Sequence, residues 1–451
     1  MTFPSLPVQP GRIRPRERDA IVASLRAGMV PRVGQQHIQV GRAAEVLAAV
    51  QDVDRIADGG AGCRFVIGEY GSGKTFFLHL VRSVALEKRL VTVHADLSPD
   101  RRLHAASGQA RGLYAELMRN LATRARPNGG ALASVVERFV TGALNEANAS
   151  GDDPANTIKS RLAALAELTG GYDFAAVVGA YWRGYDNGDE RLRVDAVRWL
   201  RGEFTSRVDA RAALGVRTIV DDATFYDHLK LMARFVRLAG FNGLLVCLDE
   251  MVNLYKITGS SARNANYEQV LRIVNDTTQG SAEHLGFLFG GTPEFLLDPR
   301  RGLFSYPALA SRLAPNRFAA PDRVDHSGPV LRLGNLTPED VFVLLTKLRH
   351  VYAGGDPARY LVPDEALTTY MAHCAQRLGD AYFRTPRETI RGFLDLLALL
   401  EQHPDLRWSE LISTVDLGGA RDPDPASDAD RPDVGTGLAT IDDDELTSFR
   451  L

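Results

Sequence analysis

The stretch Cys63-Arg-Phe-Val-Ile-Gly-Glu-Tyr-Gly-Ser-Gly-Lys-Thr-Phe-Phe77 decides the fold. Residues 68–75 satisfy the spacing G-x-x-x-x-G-K-[ST] in full. An apolar run, Cys63–Ile67, leads in as a buried strand. A helix leads out, with Phe77, Leu80, Val81 and Val84 at i, i+3, i+4 and i+7. Glycines at 68, 71 and 73 let the backbone curl into a ring of N–H groups that an anion can fill. The following helix aims its positive end at the same point. Lys74 adds a full charge for terminal phosphates, and Thr75 offers a hydroxyl to Mg²⁺. The candidate phosphate-contacting set is Gly68, Glu69, Tyr70, Gly71, Ser72, Gly73, Lys74, Thr75 and Phe76, with Lys74 also acting on the reacting phosphate.

Four more β-leaning runs follow: Leu90–His94, Leu244–Leu248, Leu285–Phe289 and Val330–Leu333. The middle ones are continuously apolar, which suits strands covered on both faces. Helical periodicity separates them, so the pattern predicts an α/β parallel sheet. Between the second and third strands lie Val135–Ala147, Ile158–Leu168, Phe174–Tyr185 and Leu192–Arg207, all with helical spacing. They predict a large helical insertion over 96–243. Ahead of the sheet, a helix is expected from Pro15 with Ile21, Val22 and Leu25 inward and Gly28 as its cap. His37–Gly41 reads as extended. Ala43–Ile56 reads as a helix burying Val46, Leu47, Val50 and Val53. Beyond Asn335 the pattern is helical, starting at the cap Thr337 and Pro338.

Gly243-Leu-Leu-Val-Cys-Leu-Asp-Glu250 ends in two adjacent carboxylates. At the C-terminal end of a parallel strand they face the crevice of the phosphate loop. Asp249, with Thr75, is the candidate Mg²⁺ holder, and Glu250 the group that orients and polarises an attacking water. Thr292, just past the fourth strand, reads either as a contact to the γ-phosphate or the lytic water, or as part of a plain Gly/Pro turn. Arg312 is a candidate finger for a neighbouring subunit's nucleotide, with Arg300 and Arg301 competing for that role and a surface arginine as the plain alternative. Thr385-Pro-Arg-Glu388 is a capping box. It puts Arg387 near the start of an apolar stripe, either reaching back to phosphates or solvated.

Composition narrows the class. The chain has 451 residues, 45% of them apolar and 24% charged, and only three cysteines. That excludes a disulfide framework and points to a reducing, cytoplasmic setting. No run approaches the roughly 18–20 apolar residues of a spanning helix, and the first residues lack the apolar core of a signal peptide. No membrane role is expected. The net charge of −3 is misleading. Residues 416–451 hold nine Asp, one Glu and three Arg, a net of −7, which leaves +4 on residues 1–415. The acidic segment reads as disordered, and the body as mildly basic, so a DNA partner is neither excluded nor demanded.

In this order the pieces resemble an AAA+ ATPase module: a P-loop five-stranded parallel sheet with a helical insertion and a C-terminal helical lid. The resemblance makes Thr292 its first sensor, Arg312 its finger, Arg387 its second sensor and Asn335–Leu400 its lid. Ile38-Gln-Val-Gly-Arg42 is similar to the adenine-contacting segment of the initiator branch, which marks Val40, Gly41 and Arg42. A closer resemblance is to the P-loop ATP-binding proteins of BREX-type phage-defence loci, the BrxD family. It rests on Leu25–Pro31, His37–Arg42, Gly68–Thr75, Ser305–Leu313 and Thr385–Glu388. It implies a prokaryotic ATPase using ATP and Mg²⁺, working as a homo-oligomer with other defence proteins, a helicase among them, near DNA. Initiator relatives carry a winged helix after the lid, whereas here only Glu401–Val415 precedes the acidic tail. The expected organisation is 1–57 N-terminal segment, 58–334 ATPase core, 335–415 lid and 416–451 tail. A nucleotide-dependent scaffold with slow hydrolysis, and a small-molecule kinase on the same loop, are the rival readings.

Overall fold

The computed structural model describes residues 12–105, 107–320, 323–378 and 386–414. The acidic segment 416–451, the cap Thr385 and Arg384 lie outside them. The five expected strands all form: β1 (Ala61–Ile67), β2 (Val91–Asp96), β3 (Leu244–Asp249), β4 (Leu285–Gly291) and β5 (Val330–Arg332). They make one parallel sheet in the order β2-β3-β4-β1-β5.

Alternation along these strands explains why both faces are covered. Phe65, Ile67, Val246, Phe287 and Phe289 point into one core, while Val66, Leu245, Cys247 and Leu288 point into another. A strand with apolar side chains on both faces is stable only between two layers of helices. One layer is α2 (Ala43–Ala57) and α3 (Lys74–Glu87), through Val53, Ile56, Phe77 and Val81. The buried ion pair Arg64–Asp52, 2.5 Å apart, ties β1 to α2, and Arg64 also donates to the His326 carbonyl at 2.8 Å. The other layer comes from α4 (Gln109–Arg119) and α10 (Phe225–Leu238), between β2 and β3, and from the helix Ser260–Thr278; α5 (Leu132–Ser150), α6 (Pro154–Leu162), α7 (Gly171–Asp186), α8 (Glu190–Leu200) and α9 (Arg207–Leu214) extend the same core outward.

Three expectations differ in detail. Leu192–Arg207 is not one helix. α8 stops at Leu200 because Gly202 takes φ +69°, and α9 restarts at the Ser206 cap. His37–Gly41 is not extended; Gln35–His37 forms a single 3₁₀ turn. In α2 the buried face runs through Ala48, Ala49, Asp52, Val53 and Ile56, leaving Leu47 58% exposed. The small side chains of Ala48 and Ala49 let this face lie close to the sheet, so it, and not the face with the larger Leu47, turns inward.

Between β3 and β4 lie α11 (Val252–Tyr255) and α12 (Ser260–Thr278), and after β4 come α13 (Pro293–Leu297) and α14 (Pro307–Arg312). The C-terminal helices are α15 (Pro338–Tyr352), α16 (Asp364–Leu378), α17 (Pro386–Gln402) and α18 (Trp408–Thr414). The Thr337 cap forms a capping box with Asp340. The N-terminal helix α1 (Pro15–Arg26) packs against α15 and α17. Ile13 N–H donates to Gly354 at 3.2 Å, Arg18 to the Tyr352 carbonyl at 2.8 Å, and Arg26 pairs with Asp395 at 2.8 Å. Segments more than 300 residues apart in sequence thus meet. Among the described residues no helix is long and apolar enough to cross a membrane.

Candidate nucleotide site

Because the sheet is parallel, the C-terminal ends of β1, β3 and β4 share one edge, where such sheets bind ligands. β1 ends at Ile67, and the chain turns through Gly68–Gly73 before α3 starts at Lys74. Gly71 and Gly73 take φ of +77° and +81°, the left-handed region that favours glycine. Gly68 is required by space: a Cβ there would stand 2.4 Å from Ser72 Oγ and 3.0 Å from the Leu333 carbonyl oxygen. Lys74 Nζ donates to the carbonyls of Gly68 at 2.9 Å and Glu69 at 2.8 Å. Burial lowers its pKa, and the carboxylates of Asp249, Glu250, Glu69 and Glu294 oppose that shift.

Asp249 closes β3 and is buried. Its Oδ2 accepts the Thr75 hydroxyl at 2.7 Å and its Oδ1 the Glu250 backbone N–H at 2.9 Å. Gly290, on the neighbouring strand, makes room for it: a Cβ there would lie 2.2 Å from Asp249 Oδ1. Among the described residues no group of three His, Cys, Asp or Glu is placed to hold a metal alone. A hydroxyl and a carboxylate in contact are two hard oxygen donors, which fits Mg²⁺ shared with phosphate oxygens.

Glu250 is exposed at φ +56°, a strained conformation for a residue with a side chain, costing roughly 1–2 kcal/mol. Partial desolvation and then the Asp249 charge raise its pKa, with Lys74 acting the other way. Asp96, beside Asp249 in register, is also raised, by burial and by Asp249. Where α3 meets β2, His79 and His94 are pushed down to about 4 and about 3 by burial and the Arg82 charge, so both are neutral at pH 7. Thr292 directly follows β4, is 1% exposed, and its hydroxyl has no hydrogen-bond partner among the described residues.

Next to the loop opens a cavity of about 300 Å³. One wall is the loop itself, Tyr70 to Phe76, with Glu250. A second is Leu25, Gly28–Pro31, Ile38, Val40 and Arg42. The third is Leu336, Leu344, Pro386, Arg387 and Ile390. Arg387 lies across Gly28, whose added Cβ would meet Arg387 Cδ at 3.3 Å. The apolar walls suit a flat base, and the loop suits its phosphates. Gly41, Gly68, Glu69, Asp249 and Thr292 are outside the wall. Gly41, at φ +59°, instead packs on Asp340, 2.8 Å from its would-be Cβ. The apolar residues Met29, Val30, Pro31, Leu336 and Leu344 were not legible as a wall, because they converge only through the contact of α1 with the C-terminal helices.

Arg42 bridges these walls. Its φ is +58°, and its Nη2 donates to the Ser72 carbonyl and, at 3.1 Å, to that of Gly334. Burial lowers its pKa, with Glu45 and Asp340 in opposition. Bonds from a charged donor are worth about 1.5–3 kcal/mol each. Arg42→Ala is therefore expected to weaken ATP binding about tenfold or more by calorimetric titration. Arg42→Lys should not restore it, since one ammonium cannot reproduce the planar fork. Unchanged affinity in the alanine variant would show that the bridge does not shape the cavity.

Arg312, the last residue of α14, is exposed and away from the cavity of its own chain. Its Nε donates to Asn275 Oδ1 at 2.6 Å and its Nη1 to the Ala308 carbonyl at 2.9 Å. Of its competitors, Arg301 is engaged with the Tyr255 carbonyl at 3.0 Å, and Arg300 is exposed.

A comparison with curated proteins returns no match. The sequence profile of the family described as BREX system ATP-binding protein BrxC/D matches residues 13–416. That span takes in the phosphate loop, the acidic pair and every wall of the cavity, and it implies other defence-system proteins as partners. The chain belongs to the BrxC/D family of BREX-system ATP-binding proteins.

Proposed function

We propose that this protein is an ATP hydrolase of the AAA+ type, acting with Mg²⁺ as a homo-oligomer to remodel or move along DNA or a DNA-bound partner in phage defence. The supporting observation is the meeting of Lys74, Thr75, Asp249 and Glu250 at one edge of the sheet beside a base-sized cavity. The phosphate loop and Lys74 hold the phosphates. Thr75 and Asp249 hold Mg²⁺, which offsets charge on the phosphate oxygens. Glu250 orients the attacking water, with Thr292 beside it as first sensor. Residues 335–415 act as a lid over the core of 58–334, with Arg387 as second sensor, and Val40 and Arg42 border the base.

Arg312 completes the site of a neighbouring copy, where it stabilises charge that develops on the transferring phosphoryl group. Removing such a finger costs about 10³-fold or more in turnover. Phosphate release by Arg312→Ala should fall accordingly. Mixing it with Glu250→Gln should restore activity, because mixed neighbours pair an intact Glu250 site with an intact Arg312. No recovery on mixing would show that Arg312 does not act between chains.

A second reading, an ATP-dependent scaffold that recruits a defence helicase, is favoured by the helical body of 97–243, none of whose described residues lines the cavity. Partner capture that survives Glu250→Gln but not Lys74→Ala would support it.

A further inference from the structure

The carboxylate of Glu250 stands on a backbone that does not hold itself. Glu250 takes φ +56°, and the chain after it forms only the single turn α11. One turn has too few internal hydrogen bonds to be stable alone, and its last carbonyls find no partner within it. A residue with a side chain stays in the left-handed region only where its surroundings over-determine it. Upstream, that hold is β3 and the bond from Glu250 N–H to Asp249 Oδ1 at 2.9 Å. Just downstream, Met251 N–H donates to the Gly290 carbonyl of β4 at 2.9 Å, and Asn253 Nδ2 to the Leu97 carbonyl at 2.8 Å. The C-terminal end of α11 is held from elsewhere.

Two arginines and a tyrosine hold it. Arg301 Nη2 donates to the carbonyls of Tyr255 at 3.0 Å and Ile257 at 3.3 Å, and Arg263 Nη1 to that of Ile257 at 2.8 Å. They cap the end of a helix that favours positive charge, with bonds about twice as strong as neutral ones. The Arg301 guanidinium also lies over the Tyr255 ring, 5.2 Å from its centre. The Tyr255 hydroxyl donates to Asp298 Oδ2 at 2.9 Å, and Asp298 Oδ1 accepts the N–H of Arg300 at 2.7 Å and of Arg301 at 3.2 Å. The turn that carries Asp298 and Arg301 is itself fixed. Buried Tyr267 of α12 donates its hydroxyl to the Arg301 carbonyl at 2.6 Å. Gly302 has no room for a Cβ, which would stand 2.7 Å from the Glu294 carbonyl oxygen. This turn follows α13, which starts directly after Thr292. The segments that leave β3 and β4 beside the nucleotide are thus fastened to each other beyond the site.

We infer that Arg301 is a positioning residue for Glu250: with Tyr255 and Asp298 it keeps α11 wound, and so keeps the strained Glu250 backbone from relaxing. This rests on the hydrolysis reading above and deepens it, because it gives Arg301 a role in the site of its own chain and not in a neighbour's. Arg301, Tyr255 and Asp298 are absent from the cavity wall, so their effect reaches turnover through Glu250 and not through ATP binding.

The test is steady-state ATP turnover beside calorimetric binding of a non-hydrolysable ATP analogue, both on the full chain with Mg²⁺. Arg301→Ala should lower kcat about tenfold as the relaxed backbone becomes the major form, with analogue affinity unchanged. Arg301→Lys, which keeps the charge and one bond, should recover part of the loss. Tyr255→Phe keeps the ring under Arg301 and removes only the bond to Asp298; kcat should fall about threefold at an unchanged melting temperature. Added to Glu250→Gln, Arg301→Ala should lower turnover no further, since both act on one carboxylate. Arg301→Ala chains mixed with Glu250→Gln chains should show no gain, because every site that keeps Glu250 lacks its own Arg301. Recovery on mixing would make Arg301 a finger for a neighbouring copy and overturn the inference. Equal losses of analogue affinity and turnover would overturn it too, by reducing the contact to general stability. Wild-type turnover by Arg301→Ala and Tyr255→Phe beside a slow Glu250→Gln would overturn this inference alone. Wild-type turnover by Glu250→Gln would overturn the hydrolysis reading on which it stands.

Discussion

Glu250→Gln is expected to lower ATP turnover by about 10²–10³-fold while ATP still binds. A positioned group that takes or directs a proton contributes about 10²–10⁴ in rate. Glutamine keeps the size and some hydrogen bonding but loses the charge that polarises water. It also tolerates the left-handed backbone at this position as poorly as glutamate does, so the strain at φ +56° is common to both. The loss is thus attributable to charge. The acid limb of the pH profile gives an independent check. Desolvation and Asp249 raise the Glu250 pKa above the ordinary carboxylate value. The working form is the carboxylate, so turnover rises as pH climbs through that raised pKa and is lost as pH falls below it. Glu250→Gln should flatten that limb. A variant with wild-type turnover and an unchanged acid limb would remove Glu250 from the chemistry.

The sequence made this site readable because its parts are local. A phosphate loop is one contiguous curl whose glycines are needed for φ and for space, and Asp249–Glu250 follow five apolar residues, Leu244–Leu248, that suit a covered strand. The sheet was equally readable, since Leu244–Leu248 and Leu285–Phe289 have no polar face to show solvent. What stayed hidden depends on contacts between distant segments. The base-sized cavity needs Met29 and Val30 to meet Leu344 and Ile390, and that meeting is set by α1 docking on α15 and α17. The inward face of α2 is hidden for a related reason: Ala48 and Ala49 are small because the sheet is close, and closeness is not written in helical periodicity. Gly202 broke an otherwise periodic helix, where a single positive φ outweighs a stripe of apolar residues.

The remaining large effect concerns a residue with no chemistry of its own. In Gly290→Ala the new Cβ would lie 2.2 Å from Asp249 Oδ1 and 2.9 Å from Leu78 Cδ1. Leu78 can rotate, but Asp249 has nowhere to go without giving up something. Its Oδ1 is held by the Glu250 N–H and its Oδ2 by the Thr75 hydroxyl. The backbones cannot part easily either, because Leu248 and Phe289, one residue earlier on each strand, are paired in the ladder. The carboxylate therefore swings, and the Thr75–Asp249 pair opens. A displacement of about 1 Å at a reacting centre can cost about 100-fold in rate. Turnover at saturating ATP should fall by about that factor, and half-maximal activity should need about tenfold more Mg²⁺ as the shared carboxylate is lost. Stability should drop far less, by the roughly 1–3 kcal/mol of an overpacked core position. Gly62→Ala is the matched control: it lies in β1, a Cβ there meets nothing within 4 Å, and both turnover and the Mg²⁺ requirement should stay at wild-type values. If Gly290→Ala instead behaved like Gly62→Ala, the position of Asp249 beside Thr75 would not be the one that catalysis uses. Its role would then have to rest on Glu250 alone.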